Sequence, residues 1–513
     1  MVLLRSIATV GGMTMISRVF GFLRDVLIAG TLGAGPVADA FFVAFRFPNL
    51  FRSLFAEGAF TAAFVPIFAG ILESEGRARA ITFAQQAFSV LLWILLIFVV
   101  IVEMAMPLAI MVLAPGFAAD PEKFELTVTL SRIVFPYLLF ISLVALLAGV
   151  LNSLGRFAAA AAAPILLNLC MIAALVWLAP YAVTAGHALA WGVAGAGLIQ
   201  FIWLWIACVR AGVPIRLPRP RLSPEVRTLM TRALPVALGA GIYQVNMMVN
   251  TMIASLLPVG AVSYLFYADR IHQLPIGVVG VAVGTALLPL LSRQLRAGHL
   301  SAANHSQNRA LELALLLTMP AAAAMAVIAE PITTALFQRG AFDAADARAT
   351  AATLMALAVG LPAYMLVKTL TPAYFARQDT RTPVKIAAGT VVLNVALNLV
   401  LMWPLLYVGI ALATSLSAWA NALALAIILR RRGFLEFDAR LSSRLPRTLA
   451  ATAVMAGTLT LVQWGLDDWL AGEQHERITA LVVLVAVGLV SFALSAQVLG
   501  AAAWADLRAL RRS

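Results

Sequence analysis

The chain has 513 residues, 62% hydrophobic and only 12% charged, with a mean hydropathy of +0.96. Soluble domains carry roughly 25% charged residues, so this composition excludes a soluble globular protein and places the chain among polytopic membrane proteins. A formal net charge of +13 would point to nucleic acid in a soluble protein; here the basic residues lie between apolar segments, where membrane topology accounts for them and no nucleic-acid partner is expected.

At ~20 predominantly apolar residues per crossing, about fourteen helices are predicted. They run over 4–30, 36–70, 82–113, 126–153, 159–180, 185–210, 224–256, 260–292, 307–336, 346–375, 383–403, 406–430, 445–466 and 477–500. The opening "MVLLRS" leads to no small-residue cleavage site, so the first span reads as a retained helix. It carries Arg18 near mid-depth, with Asp25 seven residues on along the same face and Ser17, Gly21 and Arg24 as a neighbouring stripe. In the second span Asp39 and Arg46 are again seven apart, Asn49 and Arg52 three apart, and Glu57 lies toward the far end. Cys170 and Cys208 fall in apolar runs with no disulfide or metal spacing. The seventh span has a clear start: Ser223 as N-cap, Pro224 in the first turn, Glu225 on the helix dipole. The eighth carries Ser263, Asp269, Arg270 and His272.

The connections alternate in charge. One set is rich in arginine, including Arg77, Arg79, Arg156, Arg210, Arg293, Arg377 and Arg430–Arg432; the other is neutral or acidic, with Lys123, Arg339, Arg348 and Arg477 as exceptions. The positive-inside rule then puts both termini in the cytoplasm. Pro136, Asn152 and Asn168 recur as Pro362, Gln378 and Asn394 at a constant shift of about 226 residues, which argues for two parallel six-helix halves. The expected organisation is an N-terminal lobe (1–215), a C-terminal lobe (216–440) and two further helices with a short cytoplasmic tail (441–513). The tail "AAWADLRALRRS" reads as an interfacial helix end.

An ionised side chain at the bilayer centre costs at least ~2.5–3.5 kcal/mol, so the charged residues within spans need an account. One reading makes them structural ion pairs, Arg18 with Asp25 and Asp39 with Arg46. Arg24, Arg52 and Arg270 have no obvious carboxylate on their own helix face, however. Excess cationic charge inside a membrane calls for a counter-charge or water, and a hydrated cavity lined by arginines from the first, second and eighth spans suits an anionic substrate, phosphate above all. His272 is a candidate pH sensor. Glu57 either pairs with Lys368 or Arg377 as a gate or snorkels to the interface. Asn246, Asn250, Asn394 and Asn398 read as interhelical hydrogen bonds rather than an ion site. No nucleophile elbow, HExxH or P-loop is present, which argues against an enzyme and against a nucleotide-driven pump.

The stretches "MTMISRVFGFLRDVLIAG", "ADAFFVAFRFPNLFRSLFAEGAFTAAFVPIF", "FYADRIHQLPIGVVGVAVGTALLP" and "RQDTRTPVKI" closely resemble the MurJ (MviN) family of lipid II flippases, in the multidrug/oligosaccharidyl-lipid/polysaccharide (MOP) exporter superfamily. The resemblance spans essentially the whole chain. It implies an all-α, MATE-like fold of about fourteen helices, in two pseudo-symmetric six-helix lobes with two extra C-terminal helices for the lipid tail. It implies a transporter of the bacterial inner membrane that moves undecaprenyl-pyrophosphate-linked disaccharide-pentapeptide outward by alternating access, in functional connection with peptidoglycan-synthesis enzymes. The family's functional charges fall on Arg18, Arg24, Asp39, Arg52 and Arg270, and Ser17, Asn49, Glu57 and Ser263 match positions the family relies on. Some relatives are described with a sodium site built on acidic groups; the corresponding metal candidates here, Asn250, Asn394 and Asn398, are neutral. No cofactor is expected, and the energy source is left between membrane potential and a coupling cation. A flippase for another polyprenyl-diphosphate glycan, of O-antigen type, is the alternative, with a membrane-embedded lipid-processing enzyme behind it.

Overall fold

A computed structural model describes residues 2–52 and 59–502 of the chain. Among these residues the secondary structure is helical throughout, without strands. The chain divides into two compact units, Met1–Ser263 with Arg339–Phe342, and Tyr264–Gln338 with Asp343–Ser513.

The first unit opens with α1 (Val2–Leu32) and α2 (Pro36–Arg52), followed by α3 (Ala59–Ser74), α4 (Arg77–Met104), α5 (Met106–Leu113), α6 (Pro121–Val134), α7 (Tyr137–Ser153), α8 (Phe157–Ala173), α9 (Ala185–Arg210) and α10 (Pro224–Ser255). The predicted spans 82–113 and 126–153 are each divided in two, with a proline at the break. Pro107 opens α5 after a break at Ala105, and Pro136 separates α6 from α7. Proline brings no N–H to the helical ladder and its ring crowds the preceding turn, so a helix restarts there more readily than it continues. The starts are capped by short polar side chains: Asp120 for α6, Thr184 for α9 and, as predicted, Ser223 for α10 with Pro224 and Glu225 behind it. The core of this unit is aromatic. Phe60, Phe64 and Phe68 stack at 5.6 Å spacing along one face of α3, and Phe64 stacks on Phe83 of α4 at 5.5 Å.

The second unit holds nearly all of α11 (Ala261–Arg296), then α12 (Leu300–Val327), α13 (Ala329–Phe337), α14 (Ala344–Phe375), α15 (Arg381–Arg431), α16 (Ala439–Gly465), α17 (Asp467–Ala471) and α18 (Gln474–Val498). The long α15 is two helices meeting at Leu406, whose φ of 50° and ψ of −130° are non-helical; two separate spans were predicted there. In the turn before α15, Asp379 accepts from the Thr382 hydroxyl (2.6 Å) and backbone N–H (3.0 Å) and pairs with Arg432 at 2.7 Å. These bonds hold the Asp379 carboxyl down to about 2. Glu312 of α12 gathers Arg309, Arg440 (3.3 Å) and Arg444 (2.6 Å), while Arg309 also reaches Asp438, the N-cap of α16. This network fastens α16 to α12 at the arginine-rich end.

Nine helical stretches among the described residues are long and apolar enough to cross a membrane. Bulky apolar side chains such as Trp177, Val482 and Leu489 are exposed, as a lipid-facing surface requires. The chain is a multi-pass membrane protein.

The segment Arg339–Phe342 is packed with the first unit, although its flanks belong to the second. Ala341 N–H donates to the Gly30 carbonyl at 2.8 Å. The approach is main chain to main chain: a Cβ on Gly340, whose φ is +56°, would run into the Gly30 carbonyl, and one on Gly33 into the Ala341 carbonyl.

Candidate functional site: two buried ionic clusters

Two clusters in the first unit hold its buried charges Arg24, Asp25, Asp39 and Lys123. The first lies in α1. The Arg24 guanidinium bonds one oxygen of Asp25 through Nε (3.0 Å) and Nη2 (2.6 Å), and both side chains are buried. Its Nη1 donates to Asn168 Oδ1 of α8 at 2.8 Å and lies 3.8 Å from Met171 Sδ. Asn168 in turn donates from Nδ2 to the Ser17 carbonyl at 2.9 Å. Gly21 lies beside this amide, and a Cβ there would come into contact with Nδ2 at 3.4 Å. Arg24 therefore has a carboxylate after all, on its sequence neighbour: consecutive residues point about 100° apart on a helix, but an arginine stem is long enough to curl back. Arg18, one turn and a half before, is exposed.

The second cluster centres on Asp39 of α2, which is 1% exposed. Its Oδ1 accepts from the Ser263 hydroxyl (2.6 Å) and backbone N–H (3.0 Å); its Oδ2 accepts from Gly260 N–H (2.9 Å) and from Lys123 Nζ of α6 (2.8 Å). Gly260 precedes α11 and Ser263 lies in its first turn, where backbone donors lack helical partners and the dipole favours negative charge. Asp39 thus caps a helix from outside it. Lys123 is held in place by a second contact, 4.0 Å above the Phe117 ring. The alternative pairing of Asp39 with Arg46 is not formed; Arg46 donates to Thr251 Oγ1 of α10 at 2.7 Å. Near the end of α2, Arg52 Nε donates to Asn49 Oδ1 at 2.9 Å, and Asn49 Nδ2 to the Phe45 carbonyl at 2.7 Å.

The second unit places Arg270 with its guanidinium 4.6 Å above the Phe266 ring. Asp269 accepts from Gln273 at 2.5 Å. His272 is buried edge-on to Tyr364, ring centroids 5.5 Å apart. Asn398 donates to Asn394 Oδ1 at 3.1 Å, both buried on α15, and Asn250 is half-buried on α10. Among the described residues no three His, Cys, Asp or Glu side chains gather as a metal site would need. Glu57 lies outside the described residues.

Sequence reasoning missed three participants. Lys123 stood out only as a cation in an otherwise acidic connection, and that oddity was the usable signal. Asn168 was visible as a repeat position, not as the partner of Arg24. Glu312 lay unremarked among arginines that topology alone explained.

Chemically, the two clusters differ in what they offer. A carboxylate with four donors has no capacity left for a ligand. A guanidinium held by one neighbouring carboxylate and one amide can exchange the carboxylate for an incoming anion.

Comparison with known proteins gives a consistent picture. A family model described as "Lipid II flippase MurJ" matches residues 28–479. The "Probable lipid II flippase MurJ" of Rhizobium meliloti (strain 1021) is 49% identical over 475 residues, covering 92% of this chain and 88% of the relative. The "Lipid II flippase MurJ" of Burkholderia cenocepacia is 36% identical over 506 residues, 96% of this chain and 95% of the relative. Among solved structures, "Lipid II flippase MurJ, inward closed conformation" superposes with a TM-score of 0.80 at 23% identity, over 95% of this chain and 98% of that one. An inward-facing MATE family transporter of the MOP superfamily follows at 0.67 and 16%, over 83% and 97%. These two likenesses concern the fold.

Proposed function

Because the chain belongs to the lipid II flippase MurJ family, we propose that it carries the polyprenyl-diphosphate-linked peptidoglycan precursor from the cytoplasmic to the outer leaflet of the bacterial inner membrane, with both of its own termini on the cytoplasmic side. It is a transporter, not an enzyme. Its substrate cannot cross unaided, because a diphosphate would have to enter hydrocarbon unpaired.

The observation that carries the proposal is the Arg24 guanidinium, buried inside α1 and bonded to Asp25 and Asn168. A diphosphate offers more charge and more acceptor oxygens than Asp25, and it takes over the Nε and Nη2 face. While the site is empty, Asp25 spares the protein an uncompensated buried charge. When the diphosphate must leave, the same carboxylate competes for Arg24 and assists release. Asn168 fixes the third edge of the guanidinium throughout, and the exposed Arg18 adds a second cation on the same helix. Membrane potential biases the cationic protein, at ~2.3 kcal/mol per charge per 100 mV, and we propose it as the energy source.

The test is complementation of a flippase-depleted bacterium. Wild type restores growth, whereas Arg24→Ala and Arg270→Ala fail at normal membrane levels. Growth supported by Arg24→Ala at normal levels defeats the assignment. Purified protein in vesicles separates the alternative substrate: it should move lipid II and leave an O-antigen-type lipid-linked glycan in place. Collapsing the potential in the same vesicles should slow transport, and an unchanged rate removes the potential from the scheme.

A further inference from the structure

The first unit contains a cavity of about 670 Å³ that is lined by no member of either ionic cluster. It lies at the arginine-rich end, bounded by the early part of α1, the α7–α8 turn and the last turns of α9. Its floor is apolar, with Met13, Phe157 and Ala162 among the lining residues. Its rim carries Arg156 and Arg210, both exposed. Arg156 rests one Nη on the Arg210 carbonyl at 3.4 Å. No carboxylate lines the cavity, and neither guanidinium meets one among the described residues. Trp203, 45% exposed, stands at the wall and donates its indole N–H to the Ala159 carbonyl at 3.1 Å.

Two like charges gathered without an acid repel each other unless something anionic comes between them. The cavity volume falls within the ~300–1,000 Å³ usual for small-ligand sites. Indole rings favour the depth where headgroups meet acyl chains. A cationic rim above an apolar slot, between helix ends at the basic side of a membrane protein, matches the chemistry of an acidic lipid headgroup. We propose that this cavity binds an anionic phospholipid of the leaflet at that end, its phosphate between Arg156 and Arg210 and its glycerol and upper acyl segments against Met13, Phe157 and Trp203. Because the groove touches α1, whose buried Arg24 is the proposed substrate ligand, lipid occupancy sets how firmly the start of α1 is held against α8 and α9. The site is separate from the substrate site, and its lipid is not transported.

The test titrates full-length purified protein with phosphatidylglycerol and phosphatidylcholine and reads bound lipid by native mass spectrometry. Wild type is expected to hold phosphatidylglycerol at least tenfold more tightly than phosphatidylcholine. R156Q/R210Q should erase that preference, while R219Q/R221Q, the same charge change in the linker outside the cavity, should preserve it. A162F fills the apolar slot at constant charge and should weaken both lipids; it keeps the test decisive if the double arginine variant melts early. Equal loss in both arginine pairs, or no loss in R156Q/R210Q and A162F, overturns the proposal. So does undecaprenyl diphosphate that displaces phosphatidylglycerol from the wild-type cavity, since the substrate would then be the occupant. Flipping measured in parallel keeps the two questions apart: a protein that binds phosphatidylglycerol selectively but never moves lipid II fails as a flippase and not as a lipid-binding protein.

Discussion

The Asp39 and Arg24 clusters are both buried, both ionic and both in the first unit, yet they are built on opposite plans. Asp39 draws its four bonds from three separate places in the chain: α6, the residue before α11, and the first turn of α11. Arg24 takes its charge partner from the adjacent residue and a single amide from another helix. The first arrangement ties helices together and leaves nothing to bind. The second neutralises a charge locally while making few commitments between helices. A buried ion whose partners are scattered through the fold belongs to the scaffold, and one paired with its own neighbour is free to change partners.

The largest effect is expected where that scaffold is broken. Asp39→Ala leaves the Lys123 ammonium buried without a counter-ion, at a cost of about 3–5 kcal/mol, which thermal melting in detergent will register as a large drop. Replacing whole pairs sharpens the contrast. D39L/K123M removes both charges but still strands the Gly260 and Ser263 donors, each at about 1–3 kcal/mol. R24L/D25L strands the Asn168 carbonyl, and its melting point should stay closer to wild type while lipid II transport is abolished. If both double variants melt alike, the distinction between the clusters falls. Asn168→Ala should cost about 1–2 kcal/mol and, more tellingly, weaken lipid II binding by releasing one edge of Arg24. Arg18→Gln is the mildest for stability, within about 0.5 kcal/mol for an exposed site, but should slow transport in vesicles; an unchanged rate would remove Arg18 from the substrate path.

The helices were legible in the sequence because hydropathy and caps are local properties. Ser223 announced α10, and the separation of the spans on either side of Leu406 was read from composition alone. The divisions at Ala105 and Phe135 were not, since Pro107 and Pro136 sit within apolar runs long enough to cross a membrane unbroken. At the site, residue type was legible and pairing was not. Spacing of seven put Asp39 with Arg46, but the carboxylate answered to a helix start more than two hundred residues away, which no periodicity encodes. The exceptions in the charge pattern carried more information than the rule. Lys123, a cation among acidic neighbours, is the buried partner of Asp39, and Arg339, another exception, lies beside Gly30.

The seam formed by Gly30, Gly33 and Gly340 has a consequence for selection. At Gly33 and Gly340 backbone meets backbone, and any side chain larger than hydrogen would run into a carbonyl. A population under pressure from an inhibitor ordinarily escapes by altering a contacting side chain. A compound lodged at this seam would confront positions with no tolerated alternative, so escape would have to come from lower uptake, efflux or a bypass of the protein.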